Sequence, residues 1–178
     1  MRRGLNVLIT NQRTLDEVYA AIELIGGALG EGAAAVTMAA DLRRDLEGLR
    51  PPSTSSCPRV FFEEWDAPLI SGIAWVSDLT ALCGGEDVYP ELRAARSAPE
   101  RIVEPGDVVR RQPAVIVASW CGKKAQLDRI AARPGWQDVP AVRHGYVHEI
   151  KSADILQPGP SLVHGARQLA AFIAHAAR

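Results

Sequence analysis

The sequence predicts an α/β fold in which a mostly parallel sheet is flanked by helices. Two continuous apolar runs, Val60–Phe62 and Ala114–Ala118, have the composition of strands buried on both faces of a parallel sheet. Segments with helical periodicity or helix-end signals lie between and after these runs, as βαβ connections require. With 178 residues, 47% of them hydrophobic, the chain is large enough to bury a core of its own.

The first predicted elements are a strand and a helix. Residues 5–10 form a short apolar run, which predicts a buried strand. Thr14 and Glu17 have the spacing of a capping box, so a helix should begin there, and the glycine-rich stretch 26–32 should end it. The expected apolar face of this helix consists of Leu15, Val18, Ile22, Ile25 and Leu29.

A second helix is predicted over residues 33–49, and at ~1.5 Å per residue it would be ~25 Å long. The break that follows is the clearest in the chain, because seven of the eight residues 51–58 are Pro, Ser or Thr. This composition predicts a linker or a domain boundary. The residues of the second helix expected to face inward are Val36, Leu42, Leu46 and Leu49.

The rest of the chain is predicted to alternate between helices and strands. Residues 58–178 therefore suffice for a small α/β unit, whereas residues 5–30 supply one strand and one helix, and one strand cannot make a sheet. The front of the chain is interpreted as the remnant of another domain. The further helices are predicted at 71–83, 105–112, 122–132 and 160–177, and the further short strands at 139–142 and 146–150.

Charge and hydropathy exclude several classes of protein. The chain has 20 basic and 21 acidic residues, so it lacks the positive charge expected of a protein that binds nucleic acid or an anionic membrane. No apolar run approaches the ~18–20 residues of a membrane-spanning helix. The basic start of the chain is followed by an apolar run too short for a signal peptide, so the chain as written is expected to stay in the cytoplasm.

Three polar and aromatic segments follow predicted strands. They span residues 63–69, 119–124 and 151–160. Because ligands of open parallel sheets bind beyond the carboxyl ends of the strands, these segments predict a binding cleft. Two tryptophans expected to be exposed, Trp65 and Trp120, suit a large, partly flat and partly polar ligand. On this argument the candidate ligand-binding residues are Trp65, Asp66, Trp120, Cys121 and Lys123.

An enzyme remains an alternative at this stage. Cys121 lies close to a predicted helix start and two lysines, which would favour its thiolate, although Lys124 stands where a dithiol motif needs a second cysteine. The acids of residues 63–66 could supply a carboxylate pair for acid–base chemistry. No phosphate-binding glycine motif is present, and His144 and His148 on an extended strand would lie ~13 Å apart, too far to share a metal ion. No metal site and no resident cofactor are predicted.

Several of these segments, in order, are similar to one family. Arg59–Gly72, with its Glu-Glu-Trp-Asp-Ala-Pro sequence, and Leu82–Val88 resemble the C-terminal lobe of cobalamin-binding proteins. These are substrate-binding components of ABC importers for cobalamin, ferric siderophores and haem. The resemblance continues through Val103–Ser119, Ser119–Lys124 and Ile155–Pro160, and it covers residues 59–176, with a weaker likeness over 5–49.

The resemblance implies two α/β lobes joined by one long rigid helix, with the ligand held between them. Residues 1–32 would then be a remnant of the first lobe, 33–57 the linking helix and linker, and 58–178 the C-terminal ligand-binding lobe. The chain would be a truncated form, able to self-associate through the exposed first-lobe remnant. The resemblance also implies a periplasmic location and an ABC permease as partner, and no covalent chemistry.

The resemblance assigns roles to individual positions. Leu69 stands where the family has an apolar ligand contact, and Asp154 where a cleft acid follows the last strand. Gln157 and Pro158 occupy the region in which a cobalamin binder of the family has an arginine shortly after its cleft acid. The position of the family's docking acid falls on Gly106, so Glu104 or Asp107 should substitute for it, with Asp107 preferred. The implied ligand is cobalamin or a related corrinoid or iron chelate, and a module that binds no ligand remains a third alternative.

Overall fold

The structure is a computed structural model that describes residue 4, residues 7–52 and residues 56–178. Its helices and strands alternate along the chain after residue 58. The helices are α1 (Leu15–Ala28), α2 (Gly32–Glu47), α3 (Ala74–Leu82), α4 (Pro105–Arg111), α5 (Leu127–Ala131), α6 (Pro140–Arg143), α7 (Ser152–Ile155) and α8 (Leu162–Ala176). The strands are β1 (Arg59–Asp66), β2 (Leu69–Ser71), β3 (Glu86–Asp87), β4 (Val115–Ala118) and β5 (Val147–Glu149).

The strands form one mostly parallel sheet, as predicted. Its order is β2–β1–β4–β5, and β1, β4 and β5 run parallel to one another. The two-residue strand β3 pairs in parallel with the start of β1, whereas β2 folds back antiparallel on the end of β1. The carboxyl ends of the three parallel strands therefore lie at the same edge.

Both faces of the sheet are buried, which explains why its strands are continuously apolar. Alternate side chains of β1 and β4 point to opposite faces. Phe62 and Val117 belong to one core cluster, which helices α1, α2, α3 and α8 complete. Phe61 and Ile116 belong to the other, which lies against α4, α5 and the fully buried Trp136.

Helix α1 begins at the predicted capping box. The Glu17 amide donates to the Thr14 hydroxyl at 3.3 Å, and the Glu17 carboxylate accepts from the Thr14 amide at 3.0 Å. Leu15 and Val18 are buried, but Ile25 is 43% exposed, so only the first half of the predicted face is covered. Tyr19 is buried beside them.

The strand predicted over residues 5–10 is wrong for residues 7–10, which form no strand. Val7, Leu8 and Ile9 are more than half exposed. No neighbouring strand lies beside them in the described structure, and an unpaired strand has no ladder to stabilise it. Residues 5–6 of the predicted strand lie outside the described residues.

Helix α2 crosses α1 at short range. A Cβ added at Gly26 would lie 2.1 Å from the Cβ of Ala35, so the crossing admits only a glycine there. Ala35, Leu42 and Leu46 form the buried face with Ala39. The prediction that Val36 faces inward is wrong. The small residues of α2 make the contact with α1 instead, and Val36 is 54% exposed.

The first two helices do not form a separate body. Leu15 and Leu42 belong to the same core cluster as β1 and β4, and the Leu15 amide donates to Asp78 on α3 at 3.0 Å. Of the predicted linker, residues 53–55 lie outside the described residues, and Ser56 donates to the Ala177 carbonyl at 3.1 Å, next to the end of α8.

Three predicted elements differ from the structure. The helix predicted at 71–83 is confirmed only from Ala74, because residues 69–71 form β2. The strand predicted at 139–142 is the short helix α6, in which Pro140 occupies the first turn. The helix predicted at 122–132 shrinks to α5, since Gly122 adopts φ +76° in a loop. No helix in the described ranges is long and apolar enough to cross a membrane.

Candidate ligand-binding edge

The three segments predicted to follow the strands meet at one edge of the sheet. The Ser119 amide donates to the Glu63 carbonyl at 2.9 Å, and the Ile150 amide donates to the Ala118 carbonyl at 3.1 Å. These bonds align the ends of β1, β4 and β5. We call the surface formed by residues 63–69, 119–129 and 149–157 the carboxyl edge.

A buried ion pair supports the carboxyl edge from below. Both guanidinium NH2 groups of Arg133 bond to the fully buried Glu63 carboxylate, at 2.5 and 2.8 Å, and the Trp120 indole donates to it at 3.1 Å. Burial raises the pKa of Glu63, while the bonds from Arg133 and Trp120 oppose that rise. The arrangement joins the end of β1 to the loop after β4 and to the chain after α5.

A second ion pair anchors the β1–β2 hairpin. Arg101, whose side chain is buried, donates to both Glu64 oxygens at 2.7 and 2.9 Å. The same guanidinium donates to the Ser71 carbonyl, and the Ile73 amide donates to Glu64 at 3.1 Å. Glu64 is therefore a structural group rather than a group offered to a ligand.

The outer layer of the edge is aromatic and cationic. The Lys123 ammonium lies 4.1 Å from the Trp65 ring centroid and 4.8 Å from that of Trp120, and it is 2.7 Å from an oxygen of Asp66. Partial burial disfavours the charged form of Asp66, but hydrogen bonds from Lys123 and the backbone outweigh it and hold the pKa of Asp66 below its ordinary value. Through these contacts Lys123 connects the β1–β2 hairpin to the loop after β4.

The predicted site residues differ in exposure. Cys121 is exposed and free, and Trp65 is partly exposed, with its indole donating to the Ala67 carbonyl at 3.0 Å. The exposure predicted for Trp120 is wrong, because only 3% of it is accessible and its indole turns inward to Glu63. Leu69 is 5% exposed and packs in the core beneath the edge.

The third segment contributes helix α7 and the turn after it. Asp154 is partly buried and accepts a 3.5 Å bond from Gln168 on α8, while Gln157 is exposed. A Cβ at Gly165 would lie 2.5 Å from the Asp154 carbonyl oxygen, so α8 packs against α7 at this point. This close packing fixes the position of Asp154 after β5.

The two candidate docking acids lie at the start of α4. The Val103 amide donates to the Leu69 carbonyl at 2.9 Å, which places Glu104 beside the β1–β2 hairpin, and Glu104 is exposed. Asp107 instead accepts bonds from Arg111 at 2.8 Å and from Arg110 at 2.9 Å. The bond from Arg111 is the main reason that the pKa of Asp107 is lowered.

The three acids that could have supplied acid–base chemistry do not form a pair. Each has its own cationic partner, which is Arg133 for Glu63, Arg101 for Glu64 and Lys123 for Asp66. Arg101 and Arg133 were missed by sequence reasoning, and no local pattern marks either as the partner of an acid 37 or 70 residues away.

The histidines lie elsewhere. His148 on β5 stacks on Phe172 of α8 with ring centroids 4.0 Å apart, and Tyr146 contacts His175 edge-on at 5.3 Å. Burial, with a smaller contribution from His175, lowers the pKa of His148. Within the described ranges, no three side chains of His, Cys, Asp or Glu come together as metal ligands would.

A parallel sheet covered on both faces, with aromatic and charged side chains at its carboxyl edge, is the arrangement of open α/β proteins, the class in which ligands bind at that edge. The sequence matches the model of the periplasmic binding protein family over residues 2–153. The chain belongs to this family, and the relatives that it resembles are binding and transport proteins rather than enzymes.

Curated relatives are about a quarter identical to this chain over the aligned positions. A vitamin B12-binding protein of Vibrio parahaemolyticus is 27% identical over 160 aligned positions, and the alignment covers 88% of this chain and 56% of the relative. An uncharacterised ABC transporter substrate-binding lipoprotein of Bacillus subtilis is 24% identical over 180 aligned positions, and the alignment covers 96% of this chain and 54% of the relative. The chain spans about half the length of these relatives.

Solved structures show the same fold. A possible iron-binding periplasmic protein of Staphylococcus epidermidis superposes with a TM-score of 0.81 at 17% identity, covering 96% of this chain and 67% of that one. The periplasmic vitamin B12-binding protein of Vibrio cholerae has a TM-score of 0.71 at 21% identity, covering 97% and 66%. A heme-binding protein of Roseiflexus has a TM-score of 0.78 at 20% identity, covering 94% and 66%.

Proposed function

We propose that the chain is a substrate-binding component of an ABC importer for cobalamin or a related corrinoid or iron chelate. The observation that carries the proposal is the convergence of three loops on the carboxyl edge, where Trp65 offers a partly exposed indole. A flat macrocycle buries a large area on such a face, while nearby polar groups fix its orientation. The names of the relatives point to the same ligands.

The proposed ligand contacts follow from position and exposure. Trp65, Cys121 and Gln157 reach the surface of the edge, and Asp66 and Lys123 form the ion pair that borders the indole. The buried candidates Leu69 and Trp120, together with the partly buried Asp154, are proposed to shape the edge from below. The chain would supply one wall of a cleft, and the other lobe implied by the family the opposite wall.

The permease is the proposed partner, and acids at the start of α4 would dock on basic residues of it. Glu104 is exposed and lies beside the ligand edge, so a docked permease would also approach the ligand. Asp107 forms ion pairs with Arg110 and Arg111, and these pairs would have to break before Asp107 could bind a basic residue of the permease. This docking implies that the protein acts outside the cytoplasmic membrane.

Self-association is proposed through the apolar residues left exposed on α1 and beyond its end. Ile25 and Leu29 are 43% and 74% exposed, and Leu24 is 51% exposed. A cluster of exposed apolar side chains favours association in water.

Equilibrium dialysis of the purified chain against cobalamin, with size-exclusion chromatography of the same sample, tests the function. Saturable micromolar or tighter binding that is lost in Trp65→Ala is the expected result. Arg44→Met, an exposed change on α2, is the matched control and should leave binding intact. A folded chain that binds neither cobalamin nor any iron chelate would overturn the proposal.

A further inference from the structure

Ile102 stands apart from the other exposed apolar residues of the chain. Nine large apolar side chains are exposed in the described ranges, and eight of them lie within residues 7–38. The ninth is Ile102, which is 45% exposed and lies two positions before the candidate docking acid Glu104. A single exposed apolar side chain is common on protein surfaces, so the role of Ile102 depends on its neighbours.

The segment that carries Ile102 is fixed to the outer strand of the β1–β2 hairpin. Ile102 forms an antiparallel bridge with Ile70 of β2, and the Val103 amide donates to the Leu69 carbonyl at 2.9 Å. The buried guanidinium of Arg101 binds the hairpin through its ion pair with β1. The segment therefore continues the sheet beyond β2.

Neighbouring residues of this segment alternate between the core and the surface. Arg101 and Val103 are 2% and 9% exposed, whereas Ile102 and Glu104 are exposed, and the backbone of both exposed residues is extended. In an extended chain, residues two positions apart point to the same face and lie ~7 Å apart. Ile102 and Glu104 are therefore presented side by side to the solvent.

Ile102 also continues a row of apolar side chains that begins at the carboxyl edge. Trp65 pairs with Ile70 across the β1–β2 hairpin, and Ile70 is bridged to Ile102. Side chains of directly opposed residues in antiparallel strands lie on the same face, with Cβ atoms ~5 Å apart. Trp65 and Ile70 are each partly exposed. We call Trp65, Ile70 and Ile102 the hairpin row.

The hairpin row ends beside a surplus of negative charge. In the part of the chain that the structure describes, no ion pair includes Glu104. The arginines of α4 are engaged, since Arg110 binds Asp107 and Arg111 binds both Asp107 and Glu91. Three acids thus stand against two arginines here, and the unpaired carboxylate is that of Glu104.

We propose that the hairpin row is an apolar docking surface for the permease, with Ile102 as its anchor and Glu104 as the ionic contact beside it. The inference rests on the proposed function, because it names the surface on which that partner binds. The row connects the ligand edge to the candidate docking acid, so one partner would cover both. Its docking face should have a lysine or arginine beside an apolar side chain.

Photocrosslinking in the chain's own host identifies the partner. The photoreactive residue p-benzoylphenylalanine replaces Ile102, and the membrane proteins crosslinked on irradiation are identified by mass spectrometry. We expect the membrane subunit of an ABC importer, and no such crosslink when the probe replaces Arg167, which is exposed on α8. No crosslink from position 102, or one only to a second copy of the chain or to an unrelated protein, overturns the proposal.

Variants then measure binding of the purified chain to that permease in lipid nanodiscs. Ile102→Ser should weaken binding about tenfold or more, whereas Ile102→Leu keeps the apolar contact and should retain most of the affinity. Glu104→Gln should weaken binding at low salt and have less effect at high salt, because salt screens exposed charges. Glu100→Gln is the matched control, since its carboxylate already accepts from the Arg96 amide and the Ser97 hydroxyl. Unchanged binding in Ile102→Ser would overturn the role of the anchor.

Equilibrium dialysis against cobalamin separates this inference from the proposed function. Ile102→Ser should bind cobalamin as the parent chain does, and an equal loss of cobalamin binding would assign Ile102 to the ligand instead. A parent chain that binds cobalamin without a permease crosslink keeps the ligand and loses the docking surface. A permease crosslink in a folded chain that binds neither cobalamin nor any iron chelate has the reverse meaning.

Discussion

Arg133 holds the carboxylate of Glu63, which is fully buried, through two hydrogen bonds of 2.5 and 2.8 Å. The two residues lie 70 positions apart in the sequence, and their contact joins β1 to the segment that follows α5. Because Trp120 donates to the same carboxylate, this pair positions the loop that carries Cys121 and Lys123.

Breaking this pair should strongly destabilise the fold. Arg133→Met leaves the Glu63 charge buried without a cation, and we expect it to lower the free energy of unfolding by about 3–5 kcal/mol. Urea unfolding followed by circular dichroism measures the loss. Arg129→Met, which removes an exposed arginine outside any ion pair found among the described residues, should change stability by less than about 0.5 kcal/mol. An equally small effect of Arg133→Met would contradict the structural role of the pair.

Removing Lys123 should uncover Trp65. Lys123→Met deletes the ammonium above the indole and the partner of Asp66, so acrylamide should quench tryptophan fluorescence more strongly than in the parent chain. Trp75, Trp120 and Trp136 are at least 95% buried, so the added quenching reports on Trp65. Because the ion pair is partly exposed, the stability loss should stay below about 1 kcal/mol. Lys124→Met serves as the control, and identical quenching in both variants would contradict the contact between Lys123 and Trp65.

The crossing of α1 and α2 offers a pair of adjacent glycines with opposite expected effects. Gly26→Ala places a methyl group against Ala35, so it should destabilise the protein by about 1–3 kcal/mol. Gly27→Ala meets nothing within 4 Å and should be neutral or stabilise by up to about 1 kcal/mol, because alanine favours a helix. Thermal unfolding of both variants measures the difference. The reverse order of stabilities would show that the helices do not cross here.

Stability should fall as the pH drops from about 6.5 toward 5. Burial against Phe172, with a smaller contribution from His175, lowers the pKa of His148 below its ordinary value of 6.5. The unfolded chain therefore binds a proton before the folded chain does, so the stability is complete above pH 6.5 and declines below it.

In this range the free energy of unfolding should fall by at most about 1.4 kcal/mol per pH unit. Guanidinium unfolding between pH 5 and 8 measures it, and His148→Leu should remove most of the slope between 5 and 6.5. His144→Gln changes an exposed histidine and should keep the slope. If the free energy of unfolding of His148→Leu still falls equally steeply between pH 6.5 and 5, another group causes the pH dependence.

Much of the sheet was predictable from the sequence, because a strand that is buried on both faces consists of consecutive apolar residues. The runs around Phe61 and Ile116 are apolar at every position, and both are central strands. The strand expected at residues 7–10 was wrong for a non-local reason, since an apolar run forms a strand only beside a partner. Val36 was misplaced because the position of α2 depends on Gly26, which lies on another helix.

The candidate edge was predictable in position but not in detail. The rule that ligands bind beyond the carboxyl ends of parallel strands placed Trp65 and Trp120 together. Which of the two is buried depends on the Glu63–Arg133 pair, and long-range ion pairs leave no pattern in the sequence. Ile70 and Ile102 are far apart along the chain, and only the bridge between them brings their side chains together.

Hydrogen–deuterium exchange, with and without saturating cobalamin or ferric porphyrin, tests most directly whether the carboxyl edge binds the ligand. Slower exchange in residues 63–69, 119–129 and 149–157, with little change in α1 and α2, is the predicted result. Protection confined to α1 and α2, or no protection at the carboxyl edge, would contradict it.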